Sequence, residues 1–239
     1  MYALITVLAA LLLVLILRHL KRRRVCLDVK RLDGKTALIT GVPALLDWTE
    51  NGFSLCFGVN HLGTFLLTNL LLDMLKSCSP SRVVTVTSDV YKYQKLDFAE
   101  LNYNIVPLFT YCRSKLANIY FTHELANQME RHGVTACAVH PGYVVGDWIS
   151  QFSILFRIVM YVISSMFFIS SQEGAQSVIH CAVSDDILKH NGGYFSDCRP
   201  CKLRSYAQDS GIAKKLWEAS EIMVNLSSSN KKNIKASVQ

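Results

Sequence analysis

The stretch Tyr111-Cys112-Arg113-Ser114-Lys115 decides the fold, because it lies in a segment of helical periodicity, 110–131, enclosed by two β-prone runs. The first run is Arg82-Val83-Val84-Thr85-Val86-Thr87, and the second spans 134–139. A buried strand, a long helix and a second buried strand form the repeating unit of a parallel α/β sheet. The pattern predicts a doubly wound parallel sheet, with both ends of the quoted stretch on one face of the helix.

The same alternation extends along most of the chain. Further strands are predicted at 35–40 and 193–196, and further helices at 53–76, 171–184 and 207–224. A chain of 239 residues has the length for one sizeable domain, which we assign to residues 35–226. Residues 227–239 are polar and weakly basic, and are predicted to form a disordered tail.

An apolar run begins at Tyr2 and ends just before Arg18, where basic residues follow. As a helix this run would span roughly 24 Å, which predicts a membrane anchor over residues 1–20. A cleaved signal peptide is the alternative, but it would require positive charge before the apolar run and a small-residue cleavage site after it. The positive-inside rule then predicts that the domain faces the cytosol.

The net charge of +7 is unevenly distributed, since eight of the 25 Lys and Arg residues fall within residues 18–35. This basic juxtamembrane segment, assigned to 21–34, is better explained by anionic lipid head groups than by a phosphate-tracking groove. We therefore predict a membrane partner and no nucleic-acid partner.

The eight cysteines are scattered through apolar contexts and are interpreted as buried thiols in a reducing compartment. Cys198-Arg199-Pro200-Cys201 has the spacing of a metal or redox pair, but no second Cys/His pair accompanies it. We predict no metal site.

Residues 152–169 form another apolar run, interrupted by Arg157. A second transmembrane helix is one interpretation. A lid over an apolar ligand, dipping into the membrane interface, is favoured because the run carries this charge and lacks basic flanking loops.

Four polar residues fall where a proton-transfer reaction would need them. Ser88 follows the predicted strand 82–87, Tyr111 and Lys115 lie in the next helix, and Asn60 lies in the helix before that strand. Ligands of parallel sheets bind beyond the carboxyl ends of the strands. A tyrosine titrates near pH ~10, and a neighbouring ammonium is expected to lower its pKa and make it useful as an acid/base. A capping serine, a helix-end amide and a solvated helix face are the structural alternatives.

Asn, Ser, Tyr and Lys in this order resemble the tetrad of the short-chain dehydrogenase/reductase family. Similarity to its retinol dehydrogenase branch is dense over residues 43–226, and a shorter match covers 32–41. The segments that carry it include Val59-Asn60-His61-Leu62-Gly63-Thr64-Phe65, Tyr111-Cys112-Arg113-Ser114-Lys115-Leu116-Ala117-Asn118, Val139-His140-Pro141-Gly142 and Ser171-Gln172-Glu173-Gly174-Ala175.

The resemblance implies hydride exchange between NADP(H) and a retinoid or another lipophilic alcohol or aldehyde. Tyr111 would be the acid/base, Lys115 would lower the Tyr111 pKa and bind the nicotinamide ribose, Ser88 would hold the substrate oxygen, and Asn60 would hold a relay water. The implied cofactor-binding residues are Gly41, Asn60, Tyr111, Lys115, Pro141, Gly142 and Val144. The implied location is the endoplasmic reticulum membrane, and helix 110–131 is a plausible homo-oligomer interface.

The chain departs from the family pattern after its first predicted strand. Thr40-Gly41 is followed by Val42-Pro43-Ala44, so the later glycines of the phosphate-binding turn are absent, and Gly146 stands where the family usually has threonine. We interpret the Rossmann-like fold as incomplete, lacking the glycine-rich loop and strands 2 to 4. Strand 36–40 is then predicted to pair with 82–87. The alternative function is a catalytically silent, truncated variant that acts by binding only or has no function.

Overall fold

The computed structural model describes residues 48–99, 101, 107–144 and 168–226, with the single positions 26, 36, 154 and 157. The predicted anchor and tail lie outside these residues, as do the basic segment apart from position 26 and most of the predicted lid. The predicted strand at 36–40, its pairing with 82–87, and Gly41 and Gly146 also lie outside them.

The described residues form four long helices and four strands, which alternate along the chain except for the consecutive last two strands. Helix α1 spans Leu55–Ser77 and contains a π-helical turn, Gly58–Gly63. The helices that follow are α2 (Pro107–Met129), α3 (Ser171–Val183) and α4 (Ser210–Met223). The strands are β1 (Ser81–Val86), β2 (Val134–His140), β3 (Tyr194–Ser196) and β4 (Arg199–Cys201).

The sheet has the order β1-β2-β3-β4. Strands β1 and β2 are parallel, with Ser81 opposite Val134 and Val86 opposite Val139, and β2 and β3 are also parallel. Helix α2 connects β1 to β2, as the spacing of the two β-prone runs predicts. The Rossmann-like, mainly parallel α/β fold is confirmed.

Side chains of β2 alternate between two cores, as expected for a strand buried on both faces. Ala136 and Ala138 face α1, α2 and α4, whereas Cys137 and Val139 face α3. Strand β3 divides in the same way, with Tyr194 in the first core and Phe195 in the second. Helices therefore cover both faces of the sheet, which leaves the carboxyl ends of the strands as the place for a ligand.

The antiparallel strand β4 is a feature that the sequence pattern did not predict. It pairs with β3 through a tight turn in which Asp197 and Cys198 both have positive φ, 54° and 55°. Glycine adopts this conformation most readily. Because neither position is a glycine, the sequence pattern did not predict the turn. The Cys198-to-Cys201 spacing is therefore the end of a hairpin, with Cys198 in the turn and Cys201 on the edge strand.

Helix α1 is the one described helix that is long and apolar enough to cross a membrane. Nearly half of its apolar window is buried within the domain, and Phe65 packs against Phe121 of α2 and Trp217 of α4. These contacts explain its apolar character as that of a core helix.

Candidate active site

Ser88 lies two residues beyond the end of β1, at the carboxyl end of the parallel sheet. The Thr87 amide donates to the Val139 carbonyl at 2.8 Å, which extends the β1–β2 ladder up to the site. Ser88 itself is buried and precedes a 3₁₀ turn, Asp89–Tyr93, in which the Tyr91 amide donates to the Ser88 carbonyl at 3.1 Å. The serine is thus fixed from both sides by backbone hydrogen bonds.

Tyr111 lies in the first half of α2, and its phenol lies close enough to the Ser88 side chain for that side chain to lower its pKa. Burial raises the pKa of Tyr111 to about 12, an effect that the Ser88 side chain only partly offsets. The structure therefore brings the predicted acid/base and the predicted substrate-holding residue into contact, with the phenol protonated at neutral pH.

Lys115 lies one helical turn after Tyr111 and is half-buried. Its Nζ atom lies 5.4 Å from the centre of the Tyr111 ring and donates to the Val86 carbonyl at 3.3 Å. Burial lowers the pKa of Lys115 to about 8. The amine thus remains mostly charged at pH 7 and is half discharged near pH 8.

Burial, and not Lys115, sets the direction of the Tyr111 pKa shift in this structure, and the phenol pKa is raised. The i, i+4 spacing correctly places the two side chains together. Spacing does not reveal, however, that both groups are withdrawn from water, and desolvation opposes the charged form of each group.

Asn60 lies in the π turn of α1 and is buried against α2. Its Nδ2 atom donates to Ser114 Oγ at 3.1 Å and to Cys56 Sγ at 3.3 Å. Ser114 in turn donates to the Tyr111 carbonyl at 2.8 Å. Asn60 is therefore connected to α2 through Ser114, and π turns of this kind are frequent at functional sites.

Pro141, Gly142 and Val144 follow β2 directly, on the same edge of the sheet as Ser88. Gly142 has a φ of 96°, a left-handed conformation that side chains rarely adopt. Val144 forms a parallel bridge with Ile169. A Cβ atom on Gly174 of α3 would lie 2.5 Å from Val144 Cγ2 and 3.4 Å from the Pro141 carbonyl, so α3 approaches this segment closely.

The donor set described here fits the nicotinamide half of a dinucleotide. The Lys115 amine and the Tyr111 hydroxyl can bind ribose oxygens, and the Pro141-to-Val144 segment offers bare backbone at Gly142. Of the residues implied for the phosphate half, Gly41 lies outside the described part of the chain.

The sequence pattern did not single out Ser114 or Asn118, although both contact α1. The signal was available, because residues 114 and 118 are themselves four apart and so share a helix face. Nor did the pattern predict that His140 would accept a hydrogen bond from the Asp89 amide at 3.4 Å. This contact depends on the approach of β2 to the turn after Ser88.

The parallel sheet, the Ser-Tyr-Lys contacts at its carboxyl edge and the backbone turn after β2 define an α/β domain of the dehydrogenase class. Residues 34–152 match the family model described as short chain dehydrogenase. The chain belongs to the short-chain dehydrogenase/reductase family.

Within this family the chain is similar to retinol dehydrogenases. It is 48% identical to mouse Retinol dehydrogenase 14 over 74% of this chain and 54% of that protein. It is 43% identical to mouse Retinol dehydrogenase 12 over 72% of this chain and 54% of that protein. The chain thus spans about half the length of the curated relatives it matches.

A solved structure supports the fold assignment. The crystal structure of an uncharacterised protein from Mycobacterium paratuberculosis has a TM-score of 0.58 to this chain and is 28% identical to it. The similarity covers 76% of this chain and 63% of that one.

Proposed function

We propose that this chain is an oxidoreductase that transfers a hydride between NADP(H) and a retinoid or similar lipophilic alcohol or aldehyde. The observation that carries the proposal is the approach of the Ser88 side chain to the Tyr111 phenol, with the Lys115 amine 5.4 Å from the tyrosine ring. Two hydroxyl groups and an amine at the carboxyl edge of a parallel sheet are suited to binding a carbonyl oxygen and moving one proton.

Each side chain of the candidate active site has a defined part in this reaction. The substrate oxygen is held by Ser88 and Tyr111, and Tyr111 gives a proton to the carbonyl oxygen during reduction or takes it from the alcohol during oxidation. A bound nicotinamide supplies or accepts the hydride at the substrate carbon. Lys115 and the Pro141-to-Val144 segment would bind its ribose and carboxamide side.

The high pKa of Tyr111 is compatible with reduction of an aldehyde. A protonated phenol is the form that donates to a carbonyl oxygen, and burial maintains that form at neutral pH. A cation closer to the phenol oxygen would lower its pKa toward the operating pH, which oxidation of an alcohol requires.

A lipophilic substrate is supported by the similarity to retinol dehydrogenases and by the apolar sequence at 152–169. The apolar run at 2–17 supports attachment to a membrane, where such substrates partition. The basic segment that follows this run supports a domain on the cytosolic side, and the similarity to retinol dehydrogenases is our ground for naming the endoplasmic reticulum as the membrane.

Cofactor binding is the first test of the proposed function. Full-length protein in detergent or lipid is titrated with NADPH and NADH and followed by fluorescence. Saturable binding, tighter for NADPH, is expected. No saturation up to millimolar concentration of either nucleotide would instead support the silent-variant alternative.

Turnover of all-trans-retinal is the second test. Tyr111→Phe should abolish reduction with little loss of NADPH affinity, and Ser88→Ala should reduce it strongly. Tyr93→Phe is the matched control, because Tyr93 is an exposed tyrosine in the turn after Ser88 and should leave turnover unchanged. Unchanged turnover in Tyr111→Phe would refute the assigned role.

Membrane orientation has its own test in Asn225-Leu226-Ser227, a glycosylation acceptor sequence in which Asn225 is exposed. With the domain in the cytosol this asparagine stays unmodified in cells. A glycosidase-sensitive mass shift that disappears in Asn225→Gln would place the domain in the lumen and overturn the assignment.

A further inference from the structure

Helix α2 carries a second pair of polar side chains one turn apart, Ser114 and Asn118, in addition to the catalytic pair. Both are buried, and they contact consecutive residues of the π turn. Asn60 Nδ2 lies 3.1 Å from Ser114 Oγ, and His61 Nδ1 lies 3.4 Å from Asn118 Oδ1. One face of α2 therefore carries Tyr111, the proposed acid/base, toward the carboxyl edge of the sheet, and another face contacts the π turn.

The direction of the Asn60–Ser114 hydrogen bond follows from the single hydrogen of the serine hydroxyl. Ser114 donates this hydrogen to the Tyr111 carbonyl at 2.8 Å, so its oxygen can only accept from Asn60. The atom of Asn60 that faces Ser114 must then be the nitrogen.

Cys56 reinforces the same orientation. Its sulfur lies 3.3 Å from Asn60 Nδ2 and accepts the second amide hydrogen. The residues involved are deeply buried, with Cys56 and Ser114 both 0% exposed and Asn60 8% exposed. With both N–H groups used, the Oδ1 atom of Asn60 points away from these two partners.

We propose that Ser114 is a positioning residue that fixes the orientation of the Asn60 amide, with Cys56 as the second acceptor. Its catalytic consequence rests on the proposed function, in which Asn60 holds a relay water. The contact itself does not depend on that function. Ser114 thereby joins the Tyr111 backbone to the π turn and keeps the relay residue and the acid/base in register.

The contact is tested by a double-mutant cycle in unfolding of the full chain, without substrate or cofactor. Ser114→Ala, Asn60→Ala and the double variant are compared by their denaturation midpoints. We expect the double variant to shift the midpoint by clearly less than the sum of the single shifts, because each change removes the same hydrogen bond.

Thr122→Val is the matched control for this cycle. Thr122 is a buried hydroxyl on the same helix and donates to the Asn118 carbonyl at 2.7 Å, a bond within its own helix like that of Ser114. Its shift should add to that of Asn60→Ala. An additive result for Ser114 as well would overturn the proposal.

The catalytic consequence is tested by kinetics with retinal and NADPH. Ser114→Ala should lower kcat about tenfold with little change in KM and should alter the pH profile of kcat, since a misplaced relay group slows proton transfer. Ser114→Cys keeps an acceptor and should recover part of the loss. A change in KM alone, or an unchanged pH profile, would overturn the positioning role.

Failure of the proposed function can be distinguished from failure of the positioning role of Ser114. Absence of turnover in the unmodified chain, with non-additive unfolding intact, would refute the proposed function and leave Ser114 as a structural contact. Normal turnover with additive unfolding and unaffected kcat in Ser114→Ala would refute the positioning role alone.

Discussion

The Nζ atom of Lys115 lies 5.4 Å from the centre of the Tyr111 ring, and its described hydrogen bond goes to the backbone carbonyl of Val86. Burial moves the two pKa values in opposite directions, to about 8 for the amine and about 12 for the phenol. Both shifts favour the neutral form. The pair is thus a protonated phenol beside an amine that is easily discharged.

Lys115→Met is expected to change the alkaline dependence of stability. The folded pKa of Lys115, about 8, lies below its ordinary value of 10.5, so between these values the unfolded chain binds more protons. The lysine therefore adds a contribution to the free energy of unfolding that rises as pH increases from 8 to 10.5. The difference between Lys115→Met and the unmodified chain in urea denaturation should be largest below pH 8, with the variant more stable.

Other groups also affect how the free energy of unfolding of the unmodified chain depends on pH. Burial raises the pKa values of Cys112 and Tyr111, so their deprotonation destabilises the folded protein in the alkaline range. Both groups are present in the methionine variant, so their own contributions cancel in the difference between the two proteins. The difference then reports Lys115 together with the Cys56 thiol, whose pKa the Lys115 charge lowers. A difference that does not vary with pH would contradict the assigned burial of Lys115.

His61→Gln is expected to remove part of the acid sensitivity of the fold. Burial lowers the pKa of His61 to about 4, below its ordinary value of 6.5, so the unfolded chain binds more protons between these values. The stabilising contribution is complete above pH 6.5 and declines as pH falls to 4. Urea denaturation from pH 7 to 4 should show a shallower decline in the variant.

Ser220→Ala separates this effect from simple packing. His61 Nε2 lies 2.9 Å from Ser220 Oγ, so this change removes a partner but keeps the imidazole. The acid-dependent decline should persist in Ser220→Ala. Its disappearance there, or its persistence in His61→Gln, would show that another group is responsible.

Gly142→Ala is expected to destabilise the protein by about 1–2 kcal/mol, because a side chain strains a left-handed backbone. The φ of Gly142 is 96°. Gly63 is the matched control, because it has helical geometry and a Cβ atom there meets only an ordinary contact, 3.4 Å from the Gly58 carbonyl. Gly63→Ala should leave the denaturation midpoint unchanged or higher, and equal losses in the two variants would contradict the strain.

Gly174→Ala is expected to weaken nicotinamide binding by displacing Val144. The added Cβ atom would lie 2.5 Å from Val144 Cγ2, so the valine must move. NADPH affinity, measured by fluorescence titration, should fall. The double variant Gly174→Ala/Val144→Ala removes the clash and should recover affinity relative to Gly174→Ala, whereas a further loss would indicate that Val144 itself binds the cofactor.

The main elements of the fold could be predicted because their patterns are local. The run 82–87 and the run 134–139 were identified as strands from their apolar β-branched composition, and both lie within one residue of β1 and β2 at each end. The sequence pattern predicts that α4 begins near 207, but it begins at Ser210 because Asp209 caps it, accepting from the Ile212 amide at 3.0 Å. The β4 strand was missed because three residues with a proline give no periodic signal.

The candidate site was predictable to the level of which residues meet. Tyr111 and Lys115 meet through helix spacing, and Ser88 joins them because parallel strands end on one edge. The electrostatics were not predictable, since a raised phenol pKa depends on how much water surrounds the group. The Asn60–Ser114 contact also escaped prediction, because it depends on a π turn that has no sequence signature of its own.

The interleaving of residues 111, 114, 115 and 118 on α2 limits how the chain can vary. Inserting or deleting one residue between Tyr111 and Lys115 would rotate every residue that follows by about 100° relative to Tyr111. The same change would separate Lys115 from Tyr111 and Asn118 from His61. Length variation among relatives of this protein should therefore be excluded from these two turns of helix, even where substitutions are tolerated.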